Sequence, residues 1–467
     1  MTTKKKNSVS KKLWKLGINE FNTQYFDWNK DGDLNIKEGH NIYNVKYLVE
    51  KFGTSLQILM PFIIEERLED LMDLANSTIK KINYQGKFLY HYPMKVNQTR
   101  EVVMALVGEG AHLETSSYTE LYLVKKMLEQ DKFNPDIRIL CSGPKNDAYL
   151  NLIDELQHKG VKIFPLIEGP SELKMLQHSK YNVGIRLDMP VKASSYWNKK
   201  VDRFGFSARE IYDMGPFKSL KILHYHIGSQ IEKSGDILTP IKYALDVYFE
   251  LKKTNPSLDT LDIGGGMPIP YTRQRGFNLD KLMEKIFTLL KSEAEKHEMP
   301  HPNLICEWGR YVVAPAQMTI FKVIDTKKVH KNNKKDEKQW YVIDGSFMND
   351  LCDTWAIDQK WSIVPVNNKN DDDLGEVWFA GSTCDSDDFY KGVDGAVRFP
   401  KYDYNEINNN PMYIAVLDTG AYQDALAMNH CIVSKPQRII VENGHIVLAR
   451  KRLSPDEIGR QLGWYNK

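Results

Sequence analysis

From residue 87 to about 310 the chain alternates between two textures. Short runs rich in β-branched and aromatic residues are followed by longer stretches in which apolar side chains recur every three or four positions. The short runs are "KFLYHYPMK" (87–95), "AHLET" (111–115), "IRILCSG" (137–143), "VKIFPLI" (161–167), "NVGIRLD" (182–188), "LKILHYHIG" (220–228), "LDTLDIGGG" (258–266) and "NLICEWG" (303–309). Between them, helical spacing puts Leu121, Val124 and Leu128 on one face. It does the same for Ile241, Ala244, Leu245 and Tyr248, and for Leu279, Leu282, Met283, Ile286 and Leu289. Strand and helix in alternation predict a parallel sheet with helices outside it. Eight such units predict a closed (β/α)8 barrel, with an open doubly wound sheet as the alternative.

Beyond residue 310 the texture changes. Residues 311–467 carry many short β runs: "MTIFKVI", "WYVIDGS", "EVWFAG", "MYIAVLD", "HCIVS" and "RIIVENGHIVLAR", the last a hairpin turning at "ENGH". The expected organisation is an N-terminal segment over 1–54 with a β-hairpin that packs with the β domain. A (β/α)8 barrel follows over 55–320, and a mostly antiparallel β domain over 321–467.

Composition adds little beyond exclusion. With 42% hydrophobic and 27% charged residues the chain reads as globular, and a formal net charge of +2 gives no reason to expect nucleic acid or an acidic membrane surface as partner. No run is long and apolar enough to predict a membrane span. The basic start, "MTTKKKNSVSKKLWKL", lacks an apolar signal core. Cys141, Cys306, Cys352, Cys384 and Cys431 are odd in number and scattered, which suggests reduced thiols and a cytoplasmic location.

In a barrel of this kind chemistry collects where strands end. Those ends hold Lys95, Glu114, Ser142, Arg186, His226, Gly264, Gly265, Gly266 and Glu307. Lys95 is either a surface lysine or a partly desolvated amine able to form a covalent imine link. Three glycines after a strand let exposed N–H groups approach a phosphate, and Ser229 offers a hydroxyl nearby in sequence. Glu307 and Arg310 are either a structural ion pair or a carboxylate facing a cofactor nitrogen with a guanidinium on a phosphate. An imine-forming lysine, a phosphate nest and a carboxylate for a pyridinium nitrogen together specify pyridoxal 5′-phosphate.

The ordered motifs "YPMKVNQ", "HLETSS", "HYHIGSQ", "LDIGGG", "CEWGRY", "TCDSDD" and "DTGAYQ" resemble the fold type III pyridoxal-phosphate decarboxylases, a group acting on arginine, ornithine and diaminopimelate, from about residue 25 onward. The resemblance implies that Lys95 carries the cofactor, His226 stacks on its ring, and Glu114 lies near the link. It implies that Gly264–Gly266, Ser229, Arg310 and Tyr422 hold the phosphate, and that Glu307 pairs with the pyridine nitrogen. Cys384 would return a proton to the substrate carbon; a free cysteine is more often a small buried hydrophobe, but the flanking "DSDD" argues against an apolar pocket. Asp385, with Asp388, would meet the distal cation of the substrate. In this family the cysteine and the aspartate after it come from the neighbouring subunit of a homodimer. Trp308 departs from the proline of many relatives.

Aspartate rather than glutamate after Cys384 favours an arginine or ornithine substrate, and the carboxylate cluster suits a guanidinium. The expectation is a homodimeric decarboxylase making agmatine from arginine for polyamine and spermidine synthesis. Diaminopimelate, ornithine, lysine or carboxynorspermidine remain alternative substrates, and a non-catalytic homologue is the alternative from another class.

One motif pulls elsewhere. "DWNKDGDLNIKE" places Asp27, Asn29, Asp31, Gly32, Asp33, Asn35 and Glu38 at the ligand and turn positions of a calcium-binding EF-hand loop. A second loop is not visible in the sequence. The family pattern has a β-hairpin here, with "KDGD" as its turn, so the hairpin is preferred and no metal is expected.

Overall fold

The computed structural model describes residues 22–130, 136–190, 203–271, 278–331, 334–368 and 373–465. The chain divides into two compact units. One takes the chain up to Ile64 and from Val313 onward, with Pro270 and Tyr271; the other starts at Glu65 and ends at Val312.

The first unit opens with a small antiparallel sheet, β1 (Phe26–Trp28), β2 (Leu34–Glu38) and β3 (Asn41–Asn44). Asp27 pairs with Asn35 across β1 and β2. In the turn, Asn29 Oδ1 accepts from the amides of Asp31 and Asp33 at 2.9 and 3.0 Å, and Gly32 takes φ +80. Asp27 is ion-paired to Lys37 at 3.4 Å, and Glu38 accepts from Tyr43, Asn41 and the Asn443 amide. The EF-hand-like residues thus build a hairpin, and the groups at positions 1, 3 and 12 of the motif serve it directly. After the helix Val45–Phe52 comes β4 (Leu56–Leu59), buried at every position.

The second unit is a closed ring of eight parallel strands, as the alternation predicted. They are β5 (Phe88–Pro93), β6 (His112–Thr115), β7 (Arg138–Cys141), β8 (Lys162–Ile167), β9 (Val183–Arg186), β10 (Leu220–His224), β11 (Thr260–Asp262) and β12 (Asn303–Cys306). Leu304 of β12 pairs with Phe88 of β5 and closes the ring. Leu140, Phe164, Leu166, Ile222 and Ile305 fill a buried cluster. Gly184 leaves room beside it, since a β-carbon there would run into Leu166. The helices follow the expected faces with a shift of position. Ile241, Ala244, Leu245 and Tyr248 are all buried, but in Tyr118–Gln130 it is Met127, one residue before the half-buried Leu128, that is buried.

The rest of the first unit is one sheet of ten strands. It contains β4 together with β13 (Gln317–Lys331), β14 (Lys334–Ile343), β15 (Ile363–Pro365), β16 (Leu374–Ala380), β17 (Phe389–Tyr390), β18 (Val397–Pro400), β19 (Tyr413–Val416), β20 (Gln437–Glu442) and β21 (His445–Arg450). Pairing is antiparallel except at β14–β16 and β4–β20. The β20–β21 hairpin turns at Asn443 and Gly444, at φ 51 and 75. One expected run fails: "HCIVS" is a single 3-10 turn, His430–Ile432, because Cys431 and Ile432 sit at φ 53 and 54 and cannot continue a strand.

Leu166 is fully buried in the barrel cluster. Leu166→Ala should cost about 2–5 kcal/mol, read as a lower urea midpoint with an unchanged slope; a shift below about 1 kcal/mol would mean that this layer does not carry the barrel.

Candidate active site

Parallel strands place all their C-terminal ends on one rim. At that rim β5 runs into a single 3-10 turn, Met94–Val96, which carries Lys95. The Lys95 amine lies 3.0 Å from Glu114 Oε2 on β6. The lysine side chain is 42% exposed while the glutamate is 1% exposed, so the pair joins an accessible amine to a buried carboxylate. Ser116 donates to Glu114 Oε1 at 2.9 Å, and Ser142, after β7, donates to the same oxygen. Burial opposes ionisation of Glu114, yet the Lys95 charge and the serine hydroxyls outweigh it and hold this carboxyl below the usual range.

On the other side of β5, after β12, a second carboxyl behaves in the opposite sense. Burial, then the Glu114 charge, push the Glu307 carboxyl up to about 7. Its neighbour Asp262, at the end of β11, is also raised, by burial and then by Glu307. Two buried carboxyl groups this close cannot both ionise without a cation. His224, at the end of β10, brings Nε2 to 3.6 Å from Glu307 Oε1, but burial and the Arg186 charge keep this imidazole neutral. Glu307 Oε1 itself is buried and accepts no hydrogen bond from a described residue.

The glycine turn closes over the same strands. Gly264, at φ +62, donates its amide to Asp262 Oδ1 at 2.9 Å, and a β-carbon there would strike the Tyr225 carbonyl. The Gly265 amide donates to His226 Nδ1 at 3.1 Å, which leaves Nε2 to carry the imidazole proton when the ring is neutral. Gln230, one residue beyond Ser229, exchanges two hydrogen bonds with the backbone of Ile269, both 2.9 Å, and ties the loop after β10 to the loop after β11. Gly309 packs against Pro93 and Val96, so the short helix Gly309–Val313 that bears buried Arg310 starts against the Lys95 turn.

Around Arg186, anticipated from sequence, the barrel holds a buried cationic network. Arg186 Nη1 meets Glu168 Oε1 at 2.6 Å. The Lys145 amine, fully buried, donates to the Leu166 and Gly143 carbonyls at 2.6 and 2.9 Å and to Glu172 at 3.3 Å. Lys145, Glu168, His224 and Asp262 were not singled out from sequence. The signal for Asp262 and His224 lay in "LDIGGG" and "HYH", where polar residues interrupt strands that otherwise read as apolar.

Lys95, Glu114, His226, Ser229, Gly264–Gly266, Glu307 and Arg310 therefore belong to one unit. Tyr422, Cys384, Asp385 and Asp388 belong to the other. Tyr422 is half-buried at φ +69, and Cys384 is exposed. Asp388 is buried, and its carboxylate accepts from Met348 N at 3.0 Å and from the Thr383 hydroxyl at 2.7 Å, so it holds the loop that presents Cys384 and Asp385.

Comparison with known proteins gives the family and the fold. Residues 69–314 match the pyridoxal-binding domain of the pyridoxal-dependent decarboxylases, and residues 243–403 match the C-terminal sheet domain of the same family. A biosynthetic arginine decarboxylase of Bacteroides thetaiotaomicron is 23% identical, over 88% of this chain and 85% of that protein. One from Phocaeicola vulgatus is 27% identical over 66% of this chain and 54% of its own length. Among solved structures, the biosynthetic arginine decarboxylase of Campylobacter jejuni shares the fold with a TM-score of 0.81 at 19% identity, covering 95% of this chain and 91% of that one.

The Glu307 proton gives a pH signature. Between its ordinary value of 4.5 and about 7 the unfolded chain has released this proton and the folded chain still holds it, so rising pH lowers stability across that window. Glu307→Gln removes this contribution. In cofactor-free protein, urea unfolding at about pH 5 and about pH 8 should show the variant gaining on the wild type at the higher pH; identical pH dependence in both would place the proton elsewhere.

Proposed function

Since the chain belongs to the pyridoxal-dependent decarboxylases, carboxy-lyases whose cofactor is pyridoxal 5′-phosphate, we propose that it decarboxylates a basic amino acid and that L-arginine, giving agmatine and CO2, is the preferred substrate. The observation that carries the reading is the buried Glu307 carboxyl, whose Oε1 accepts no hydrogen bond from a described residue, in the unit that also holds Lys95 and the glycine turn.

The residues fit the group. Glu307 has an oxygen free for a ring nitrogen, and a carboxyl raised to about 7 shares a proton readily with such a base. Lys95 would carry the cofactor, Glu114 would hold the charge of the lysine amine, and His226 would stack on the ring. Gly264–Gly266, Ser229, Arg310 and Tyr422 would hold the phosphate; at Gly264 only glycine fits, because a side chain would meet the Tyr225 carbonyl. The bound cofactor supplies the electron sink for the pair left behind when the carboxylate departs. Arginine is favoured over ornithine, lysine, diaminopimelate and carboxynorspermidine by the names of the relatives and by Asp385, a partly exposed carboxylate suited to a guanidinium. Cys384 would return the proton to the substrate carbon. By the family pattern Cys384 and Asp385 would serve the neighbouring subunit of a homodimer, in a cytoplasmic route to polyamines.

Holoenzyme offered arginine, ornithine, lysine and diaminopimelate in parallel should release CO2 fastest from arginine; a clear preference for another would replace the substrate and leave the chemistry standing. Cys384→Ala should lower kcat about 10²–10⁴-fold while the visible absorbance of the cofactor persists. Lys95→Ala should lose the covalently held cofactor, and its retention would overturn the site. Asp385→Asn should raise KM for arginine about tenfold or more by losing a charged hydrogen bond.

A further inference from the structure

The first unit gathers three soft donors that its sheet has no need of. The sulfur of Cys384, the sulfur of Cys431 and a ring nitrogen of His430 all lie within 4.8 Å of one another, and all three residues are exposed. The two sulfurs are 3.2 Å apart, and His430 Nε2 stands 3.5 Å from Asp385 Oδ2. Both sides of the cluster are held. The buried Asp388 carboxylate pins Thr383 and thereby the Cys384 loop, while Asn349 donates to the His430 carbonyl at 2.8 Å and fixes the turn. Cys431 and Ile432, both at left-handed φ, bend the chain back at that point.

We propose that Cys384, Cys431 and His430 form a binding site for a soft divalent cation, zinc(II) in the first instance, with water in the fourth position. Two thiolates and an imidazole are a zinc donor set; magnesium and calcium require oxygen ligands throughout. Zinc–sulfur bonds of about 2.3 Å set tetrahedral thiolates roughly 3.8 Å apart, so the sulfurs need to part by about half an ångström. Each thiol gives up its proton on binding, so uptake of one ion releases two protons to the buffer. A simple disulfide pair would account for the sulfurs but not for the imidazole beside them. The binding claim stands on this geometry. Its consequence, that a bound ion removes the Cys384 thiol and stops turnover, rests on the role given to Cys384 above.

The test uses reduced, full-length holoenzyme. Cadmium(II), as a spectroscopic substitute, should give a thiolate charge-transfer band saturating at one ion per chain, and zinc should displace it. Another donor cluster, Asp246, Glu293 and His297, contains no sulfur and cannot produce that band. Cys431→Ser and His430→Ala should each weaken binding by about a hundredfold or more and should turn over substrate normally, now insensitive to micromolar zinc. Absence of the band, or an unchanged band in Cys431→Ser, overturns the site. A band with undiminished turnover keeps the site and overturns instead the role of Cys384 as proton donor.

Discussion

A closed ring of parallel strands has a single rim at which strand ends meet, and that constraint decides where every reactive group of the barrel can lie. Residues as far apart in sequence as Lys95 and Glu307 become neighbours because β5 pairs with β12, in the register Leu304 to Phe88. The loops add small corrections. Gln230 locks two of them together, and Gly309 lets the last helix begin flush against the Lys95 turn.

Within that rim the dominant physical fact is an excess of buried carboxyl groups. Glu114 is ionised because a lysine and two serines attend it. Asp262 and Glu307 are not so served, and the neutral His224 between them and Arg186 supplies no charge. Such a site prefers a cationic guest beside Glu307, and a protonated pyridine ring is one. The positive network of Lys145 and Arg186 is paired internally with Glu168 and Glu172; the Arg186 charge still draws the Glu307 carboxyl down, but burial and the Glu114 charge outweigh it.

Much of this was legible in the sequence because a buried parallel strand is a short apolar run that little else imitates. All eight barrel strands fell inside the expected runs. The hairpin over Asp27–Glu38 was legible from its turn, despite its EF-hand spelling. Three things were not. Asp262 and His224 owe their behaviour to burial, which a residue type does not announce. Asp388 accepts hydrogen bonds from Thr383 and Met348, an engagement set by how the loop folds and not by residue type. "HCIVS" has the composition of a strand and the backbone of a turn, and the donor set it completes with Cys384 is too widely spaced in sequence to register as a motif.

The strand β4 lies between β13 and β20, partners that come much later in the chain. During synthesis "LQIL" emerges from the ribosome long before either flank exists, with four apolar residues and two open edges. The barrel can close in the interval, since its ring needs nothing beyond Val312. The sheet cannot. A nascent or truncated chain lacking β20 would therefore display a sticky edge after the barrel has closed, a form that chaperones and proteases are built to find.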